Sequence, residues 1–524
     1  MLKAVYKVAF INRTFPQFIN SIYYYNAPPN MILSVGSVVR VPFANYKQLL
    51  YGVILEKLST QNKVYNNKTI DSLVNGVFLP VSLLNFFQVQ AKKYNIAVSN
   101  LFKYNIPKFN DSWLDNINRQ LNKPQQLSQI NFQLCAKLYK YLLAGNYDNL
   151  QRIFFGKANY NLQSLPGVAE YNGRFYHLQT LLLALKIARS LLDKQSLIVT
   201  LPYQRYLDLL VDYLKQLGAR FSDFEILSDI AVFNDSENSK DYFYKWLQVL
   251  YGKSGVVIGT KKSTYSPLND FDCAITLDEQ DFAHKSGYKP YNNLALDLID
   301  RANLQSKPIL SISAGFFSRS YQSVNFISAN IKNLRSDRTS LEFKNFNTND
   351  KSAKDLTDIS RLPHKAYEAL KQASSKGSVL VIVASKLGKA GTKSTYDWFK
   401  KAFANTLIKV SAKNIQQGVI SQVDNYPQIV ISTLGAAPVA VSGWQAIFIL
   451  EANSYFNYKD VNFKSILSSW MNAISFIKLS SQSTVWLIKS VPDIALQTLK
   501  KWQPQLLDLS DNNLQSLQAS FDSI

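Results

Sequence analysis

The N-terminal residues 1–60 alternate between apolar and polar side chains with the two-residue period of half-buried β-strands. The alternation runs through residues 2–10 and 36–43 and resumes in residues 51–54. Pro42 closes the second run, and Gly52 lies inside the third, where a glycine marks a bulge or a close backbone approach. We therefore predict that residues 36–43 and 51–54 form neighbouring strands of a small twisted sheet.

The hydrophobic period becomes helical after residue 80. Leu83, Leu84, Phe87 and Ala91 recur with helical spacing, and Pro107 lies just beyond this pattern. We therefore predict a small β-rich α+β domain over residues 1–108. The next residues are first polar and then helical in pattern, so we predict a linker or helical connector over residues 109–155.

From about residue 160 onward, helical patterns alternate with short apolar runs, which is typical of parallel sheets covered on both faces. The predicted strands are residues 197–200, 256–259, 274–277, 309–313, 379–383, 407–410, 429–432, 446–450 and 485–488. The intervening residues 325–360 are rich in Asn, Lys and Ser, and we predict a loop there. The fold class is multidomain α/β, with one lobe over residues 156–335 and a second over residues 336–524.

The chain carries 58 Lys and Arg against 36 Asp and Glu, a formal net charge of +22. Such a charge favours an anionic partner, either nucleic acid or an acidic membrane face. An AT-rich genome would also enrich Lys, Asn, Ile and Tyr, so the charge alone leaves a purely compositional origin open.

Cysteine content and hydropathy bear on the compartment. Cys135 and Cys273 are the only cysteines, so neither a disulfide framework nor a four-cysteine zinc site can form. The N-terminus alternates instead of forming an apolar core, which argues against a signal peptide. The apolar helix predicted over Leu178–Leu192 is too short and too polar to span a bilayer. We expect a cytoplasmic protein without membrane partners.

A phosphate-binding loop would be expected just before the helix at Leu178, but the sequence there departs from the motif. The motif needs two glycines with four residues between them, and the second glycine is followed by Lys and then by Ser or Thr. If Gly167 is the first glycine of the motif, Asn172 occupies the position of the second glycine. If the motif is shifted by one residue, Gly173 is the second glycine, but Arg174 replaces the Lys and no hydroxyl side chain follows. We predict no functional nucleotide cofactor here.

An acidic pair, Asp278-Glu279, ends the apolar run 274–277. Such a pair can hold Mg²⁺ and act as a base, whereas the simpler interpretation is a solvated strand end with capping carboxylates. Without a phosphate loop to bring the metal, we favour the solvated end. His177 and His364 have no Cys, Asp or Glu at ligand spacing, and His284, although close to Asp281, is a lone histidine of the kind that is usually structural or solvated. We therefore predict neither a metal site nor a catalytic residue.

Basic and aromatic residues are interleaved along the N-terminal strands, in a pattern that suits single-stranded nucleic acid and strand ends. The basic residues are Arg13, Arg40, Lys47 and Lys57, and the aromatic ones are Phe15, Tyr23, Tyr24, Tyr25, Phe43, Tyr46 and Tyr51. Basic groups contact phosphates, and aromatic faces stack on unpaired bases. For Phe15 and Phe43, packing in the core is an equally good interpretation.

These stretches resemble the 3′ DNA-binding domain of the primosomal protein N′ family (PriA, the bacterial replication-restart helicase). The resemblance rests first on Arg13-Thr14-Phe15, on residues 36–43 and on residues 51–54. It continues in order through residues 255–260, the acidic stretch at 276–281, Ser313-Ala314-Gly315 and residues 388–392. The family fold implies two RecA-like parallel-sheet lobes after the N-terminal domain.

The chain also departs from the family. The phosphate loop is absent and the acidic box is degraded, since an ungapped alignment puts Leu277 at its first Asp. The zinc module is missing before Gly391, and the arginine motif of the second lobe has no arginine in residues 470–474. The sequence ends soon after Trp502, so we expect most of the family's C-terminal domain to be absent. Pro16 replaces the family's acidic residue implicated in 3′-end binding.

The resemblance implies a replication-restart or primosome-type protein that binds branched DNA or strand ends without helicase activity. Pattern and resemblance together predict DNA contacts at Arg13, Thr14, Phe15, Gly36, Arg40, Pro42, Phe43, Lys47, Tyr51, Gly52 and Lys57. A degenerate nucleotide site is predicted at Gly167, Gly173, Arg174, Asp278 and Glu279.

Two alternative functions stay open. One is a residual DNA-stimulated ATPase or 3′–5′ helicase using Arg174 and Asp278-Glu279. The other is a protein-interaction scaffold that does not bind DNA. The partners implied are forked, single-stranded or 3′-ended DNA, single-strand-binding protein and helicase-loading proteins of the primosome. The location implied is the nucleoid.

Overall fold

The structure of the protein is a computed structural model. It describes residues 4–11, 22–44, 48–58, 68–114, 116, 127–142, 159–163, 167–221, 228–235, 237–315, 317, 325–328, 342–346, 362–384, 391–412, 418–456, 463–479, 483–489 and 491–502.

The N-terminal sheet has five antiparallel strands. They are β1 (Val5–Phe10), β2 (Ile22–Asn26), β3 (Ser37–Val41), β4 (Leu50–Leu58) and β5 (Ser72–Phe78), in the spatial order β2-β1-β4-β3-β5. Strands β3 and β4 pair directly, with Arg40 opposite Tyr51, so the predicted neighbouring strands are confirmed. Both faces of the sheet are apolar, because alternate residues of β3 enter two different hydrophobic clusters.

Two glycines allow this sheet to close tightly. A Cβ atom on Gly36, which has φ +89°, would lie 2.2 Å from the carbonyl oxygen of Leu79. A Cβ atom on Gly52 would lie 2.4 Å from Cγ1 of Val8 on the neighbouring strand. The sheet therefore has no room for a side chain at Gly52, where the sequence predicted a bulge or a close backbone approach.

The described residues after the sheet form helices α1 (Val81–Lys93), α2 (Val98–Asn105), α3 (Asp111–Leu114) and α4 (Phe132–Leu142). Helix α1 buries Phe86 and Phe87 against Tyr265 of the next domain, with ring centroids 5.2 and 5.0 Å apart. Its last turn binds the same domain, since Tyr94 donates to Asp297 at 2.6 Å and Lys93 pairs with Asp300 at 2.6 Å. The N-terminal domain thus packs on the first lobe through one continuous core.

The first lobe is built on seven parallel strands. They are β6 (Tyr160–Gln163), β9 (Leu197–Thr200), β10 (Ile230–Phe233), β11 (Val256–Gly259), β12 (Cys273–Leu277), β13 (Ile309–Ser313) and β14 (Asn325–Ser328). A separate hairpin, β7 (Val168–Tyr171) and β8 (Arg174–His177), precedes the first covering helix. The helices are α5 (Leu178–Leu192), α6 (Gln204–Gln216), α7 (Ser239–Leu250) and α8 (Leu294–Leu304). The spatial order is β10-β11-β9-β12-β13-β6-β14.

The second lobe has six parallel strands. They are β15 (Glu342–Phe346), β16 (Ser378–Val383), β17 (Leu407–Ser411), β19 (Gln428–Thr433), β21 (Ala446–Ile449) and β22 (Thr484–Ile488), in the order β15-β22-β21-β16-β19-β17. A short pair, β18 (Gln422–Val423) and β20 (Val439–Ala440), lies beside them. The helices are α9 (His364–Lys376), α10 (Thr392–Ala402), α11 (Phe463–Ile474) and α12 (Asp493–Lys501). Short 3₁₀ helices occur at Phe282–His284, Leu434–Ala436 and Ala452–Phe456.

The predicted loop over residues 325–360 was wrong in part. Strand β14 pairs in parallel with β6, and β15 pairs in parallel with β22, and both are edge strands. An edge strand is held by main-chain hydrogen bonds on one side only and needs no continuous apolar run, so a polar composition concealed both. Within the described parts of the chain, no helix is long and apolar enough to cross a membrane.

Candidate nucleic-acid interface and the replaced phosphate loop

One end of the N-terminal sheet brings two connecting segments together. Strand pairing places Phe10 opposite Gly52 and Val41 opposite Leu50, and the Ile11 N–H donates to the Tyr51 carbonyl at 3.0 Å. The β1–β2 and β3–β4 connections therefore start and finish at this same end. Four predicted DNA contacts in these connections lie outside the described residues, namely Arg13, Thr14, Phe15 and Lys47.

Arg40 is held beside an aromatic ring on β4. Its guanidinium carbon lies 5.7 Å from the ring centroid of Tyr51, and Nη1 donates to Ser72 Oγ at 3.5 Å. Tyr51 in turn meets Phe109 edge-on at 5.6 Å. Arg40 and Tyr51 are both half-buried, so part of each side chain is exposed to solvent. A cation beside an aromatic face is a combination that binds single-stranded nucleic acid in other proteins.

Phe43 lies in an aromatic cluster on the opposite face. Its ring centroid is 5.1 Å from Phe10 and 4.9 Å from Tyr23, with both contacts edge-on. Tyr25 donates from its hydroxyl to the carbonyl of Pro42 at 3.0 Å, which fixes the start of the β3–β4 connection. These contacts favour the packing interpretation of Phe43 that the sequence left open.

Lys57 is exposed near the end of β4, and Gly36 and Gly52 have the packing roles described above. The predicted contacts that the structure describes therefore do not form one pocket. Arg40 and Tyr51 share one face, whereas Pro42 and Phe43 belong to the turn region on the other side.

A β-hairpin occupies the position where a phosphate loop would precede α5. Asn172 and Gly173 form its turn, with φ +50° and +75°. Positive φ at both central residues is what a type I′ hairpin turn requires, and Asn-Gly favours it strongly. Glu170 lies opposite Phe175, so the main-chain groups of this stretch serve a strand ladder. Arg174, at the end of the turn, donates to Gln216 at 3.3 Å.

The start of helix α5 is covered by side chains of the second lobe. His177 lies there, with its two ring nitrogens 2.8 Å from Thr180 Oγ1 and 2.9 Å from Ser475 Oγ. Its ring stacks on Phe476 with centroids 3.8 Å apart and planes inclined by 16°. Burial lowers the pKa of His177 to about 3, so the ring is neutral at physiological pH. Protein atoms therefore fill the space beside this helix terminus, where anions bind in phosphate-loop proteins.

The prediction of a solvated acidic strand end was wrong, because Asp278 and Glu279 are both buried. Asp278 accepts hydrogen bonds from Ser313 Oγ and the Ala314 N–H at 3.0 and 2.8 Å. Its second oxygen accepts from Gln179 at 3.1 Å and from Asn472 at 2.9 Å. Helix α11 of the second lobe covers the strand end.

Burial, with a smaller contribution from the neighbouring Asp281 carboxylate, raises the pKa of Asp278 to about 7. Glu279 accepts from Ser311 Oγ at 2.8 Å. Among the residues that the structure describes, no group of three His, Cys, Asp or Glu side chains could hold a metal ion.

Sequence reasoning missed the polar residues that join the lobes here. Asn472 also donates to Asp281 at 3.3 Å, and Tyr203 donates to the same carboxylate at 2.8 Å. Arg205 lies 3.7 Å from the Tyr203 ring centroid and donates to the Gly435 carbonyl at 3.2 Å. The local clue was that Asn472 is a side-chain amide within helix α11, where apolar residues surround it in the sequence.

A cleft of about 880 Å³ opens between the two lobes beside this network. Arg205, Lys261 and Lys285 line it from the first lobe, opposed by Asp235. Phe282, which is 40% exposed, adds an aromatic face. The cleft combines cationic and aromatic groups, as a strand-binding groove does.

Comparison with known proteins places the N-terminal domain in a family. Residues 11–107 match the family model of the PriA 3′ DNA-binding domain (3′BD). No curated protein matches the chain in sequence.

Three solved structures align with most of this chain at low overall similarity. Dbp5 of S. cerevisiae bound to RNA and ADP BeF3 is 13% identical, with a TM-score of 0.40, over 75% of this chain and 91% of its own. A DEAD box protein of Methanococcus jannaschii is 13% identical, with a TM-score of 0.33, over 77% and 96%. The DUF1998 helicase MrfA bound to DNA and AMPPNP is 10% identical, with a TM-score of 0.41, over 72% and 53%.

The β-rich N-terminal domain is followed by two parallel-sheet α/β lobes. Residues 11–107 of this chain are therefore similar to the 3′ DNA-binding domain of PriA proteins.

Proposed function

We propose that this protein binds DNA through its N-terminal domain, as a replication-restart or primosome-type factor acting on forks or strand ends without helicase activity. The observation that carries the proposal is the family match over residues 11–107. The formal charge of +22 supports it, because phosphate neutralisation supplies most of the affinity of such proteins.

The arrangement of the N-terminal sheet supports a binding site at one end. The two connections that carry Arg13, Thr14, Phe15 and Lys47 emerge at that end. Arg40, beside Tyr51, supplies a cation and an aromatic ring nearby. We assign backbone contacts to the basic residues and base stacking to the aromatic ones. Pro16 provides no acidic group for a 3′-hydroxyl, so binding rests on these contacts.

The body of the chain serves as a basic scaffold in this proposal. We assign its units to residues 1–108, 109–155, 156–335 and 336–524. The interlobe cleft with Arg205, Lys261 and Lys285 is a second contact for a strand that leaves the N-terminal domain. Single-strand-binding protein and helicase-loading proteins are the partners that this role implies, and the nucleoid is the location.

The residual ATPase using Arg174 and Asp278-Glu279 is the less favoured candidate. Arg174 binds Gln216, and Asp278 already accepts four hydrogen bonds from protein groups. A phosphate would have to displace Phe476 from His177 to reach the start of α5. ATP turnover on forked DNA decides between the two. Turnover that Asp278→Ala abolishes would establish the ATPase.

Fluorescence anisotropy with forked, 3′-tailed and blunt DNA tests the proposal. We expect forked or tailed DNA to bind more tightly than blunt DNA. The double variant Arg40→Glu, Lys47→Glu should lose at least tenfold in affinity, because two phosphate contacts become repulsive.

The matched control is Lys365→Glu, Lys371→Glu, which reverses two exposed charges on α9. It should bind DNA nearly as the wild type does. Equal losses in both double variants would mean that net charge alone governs binding. No measurable binding by the wild type would favour the protein-interaction scaffold instead. Circular dichroism checks that each variant is folded.

A further inference from the structure

Main-chain pairing joins the two lobes at a five-residue segment, 475–479, which we call the clasp segment. On the first-lobe side, the Gly167 N–H donates to the Ser475 carbonyl at 2.7 Å, and the Val168 N–H donates to the Ile477 carbonyl at 2.9 Å. The Leu479 N–H donates back to the Val168 carbonyl at 3.2 Å. The hairpin that replaces the phosphate loop therefore pairs with the second lobe.

The clasp segment also pairs with its own lobe. The Trp444 N–H donates to the Phe476 carbonyl at 2.8 Å, and the Lys478 N–H donates to the Trp444 carbonyl at 2.9 Å. The segment thus lies between Val168 of one lobe and Trp444 of the other, hydrogen-bonded on both sides. Separating the lobes would break the main-chain hydrogen bonds between Val168 and the clasp segment and would expose the apolar surface packed around them.

Glycines flank the clasp segment where the backbones come closest. A Cβ atom on Gly167, with φ +130°, would lie 2.4 Å from Cγ of Leu479. A Cβ atom on Gly443, with φ +83°, would lie 2.7 Å from Cα of Lys478. Only residues without a side chain allow this approach, so the local sequence fits the paired state of the lobes.

Side chains reinforce the pairing. The Phe476 ring is stacked between His177 and Tyr206 of the first lobe, with centroids 3.8 and 5.2 Å away. Ser475 Oγ lies 2.9 Å from His177 Nε2. Phe476 itself is only 2% exposed, so the aromatic contact is dry. Dry stacking of this kind adds to the burial of apolar area.

Helix α11, just before the clasp segment, contributes a polar contact. Asn472 donates from one amide nitrogen to Asp278 at 2.9 Å and to Asp281 at 3.3 Å. Both carboxylates belong to the first lobe and are buried. A neutral amide that bridges two buried acids holds them together only while the lobes are in contact.

A second junction lies at the far end of the chain. Gln163 on β6 donates to the Trp502 carbonyl at 2.7 Å. Trp502 and Trp470 are buried in the same hydrophobic cluster as Leu162 and Leu181 of the first lobe. The two parallel-sheet lobes therefore share one core.

We propose that the clasp segment holds the two lobes permanently closed without nucleotide, so that the chain is a static clamp. In a two-lobe motor, a bound nucleotide bridges the lobes and its loss lets them part. In this chain, the clasp segment and Asn472 bridge them instead. The inference goes beyond the proposed function and does not depend on DNA binding, because lobe separation is measured on the protein alone.

The test is the distance between spin labels at Lys240→Cys and Lys400→Cys, measured by double electron–electron resonance in the full chain. Both positions are exposed, on α7 of the first lobe and α10 of the second. Cys135 and Cys273 are replaced by Ser in the same background. We expect one narrow distance that is unchanged by Mg²⁺ with AMPPNP and by forked DNA.

A shift of the mean distance or a second population with AMPPNP would overturn the proposal. A broad distribution in the protein alone would overturn it equally. Both distances are measured on the spin-labelled protein with an unchanged clasp segment. The test therefore does not depend on whether a variant of the clasp segment folds.

Asn472→Asp tests the contribution of the amide bridge, because it places a third carboxylate between Asp278 and Asp281. We expect longer and broader distances, because the new side chain lacks the amide N–H groups that bind both acids and adds a third acidic group beside them. The matched control Asn303→Asp adds the same charge at an exposed position on α8 and should leave the distance unchanged. A folded Asn472→Asp protein with the wild-type distance would contradict the role of Asn472 in holding the lobes closed.

Discussion

Replacing Asp278 by Asn should change how the stability of the protein depends on pH. Asp278 is fully buried, and its pKa rises from an ordinary 3.8 to about 7. Between pH 3.8 and about pH 7, Asp278 is therefore protonated in the folded protein and ionised in the unfolded chain. The free energy of unfolding contributed by this site falls as the pH rises toward 7 and is constant above it.

The magnitude follows from linkage. Between about pH 5.5 and pH 8, a group with these two pKa values lowers the free energy of unfolding by about 2 kcal/mol. Asp278→Asn lacks the titrating group, so its stability relative to the wild type should rise by that amount over this range. Burial holds the pKa of His177 near 3 and that of Tyr206 well above 10, so neither titrates in this range.

Asn can keep part of the Asp278 contacts, although it loses the hydrogen bond that Asn472 donates to the second oxygen. That loss does not depend on pH, so the comparison between pH values remains interpretable. The carbonyl oxygen of the new Asn can still accept from Ser313 Oγ and the Ala314 N–H, as Asp278 does. Its new amide can donate to the carbonyl oxygen of Gln179 after a flip of that side chain. Asp281 remains in both proteins, and burial raises its pKa in each.

Urea denaturation of both proteins at several pH values is the assay. Asp397→Asn, at an exposed position on α10, is the control and should show no pH-dependent difference from the wild type. A stability difference between Asp278→Asn and the wild type that stays constant from pH 5.5 to 8 would refute the reasoning. It would mean that Asp278 is ionised in the folded protein throughout.

Other predictions concern backbone geometry, a buried cation and DNA affinity. Gly36→Ala should lower the free energy of unfolding by more than about 2 kcal/mol, since positive φ and the contact with Leu79 both oppose a Cβ atom. Gly287→Ala, which meets open space, should change it little. Arg301→Met should lower the free energy of unfolding by about 3 kcal/mol or more, because three buried carbonyls lose their hydrogen-bond donor. Urea denaturation measures the stability of all three variants. The logarithm of Kd for single-stranded DNA should rise with the logarithm of salt concentration, with a slope of about 0.7 per phosphate contact, and a flat titration would contradict electrostatic binding.

Short apolar runs predicted the lobes well. Strands β9, β11 and β13 have the predicted bounds, and helix α5 has the predicted limits. Parallel strands are buried on both faces, so their residues are apolar throughout and stand out in the sequence. The edge strands β14 and β15 lack that constraint and were predicted as loop.

The surroundings of Asp278 could not be derived from its neighbours in sequence. The amide that binds it, Asn472, comes 194 residues later and belongs to the other lobe. The local sequence shows that a carboxylate follows the strand, but it does not show which distant residue binds that carboxylate. A solvated strand end was therefore the natural prediction. Burial of that strand end depends on how α11 packs across the lobes.

The hairpin before α5 was predictable from local chemistry. Asn172-Gly173 is a dipeptide that favours a two-residue hairpin turn, and short alternating runs flank it. Comparing the stretch only with a phosphate loop showed what it lacks, not what it forms. The turn preference of Asn172-Gly173, considered without reference to the phosphate-loop motif, would have predicted strands β7 and β8.

Hydrogen exchange of the full chain with and without forked DNA tests the central claim most directly. The account predicts slower exchange on DNA binding in peptides from residues 11–58, with the strongest effect around the β1–β2 and β3–β4 connections. Protection confined to the two lobes, or none anywhere at saturating DNA, would contradict the assignment of DNA binding to the N-terminal domain.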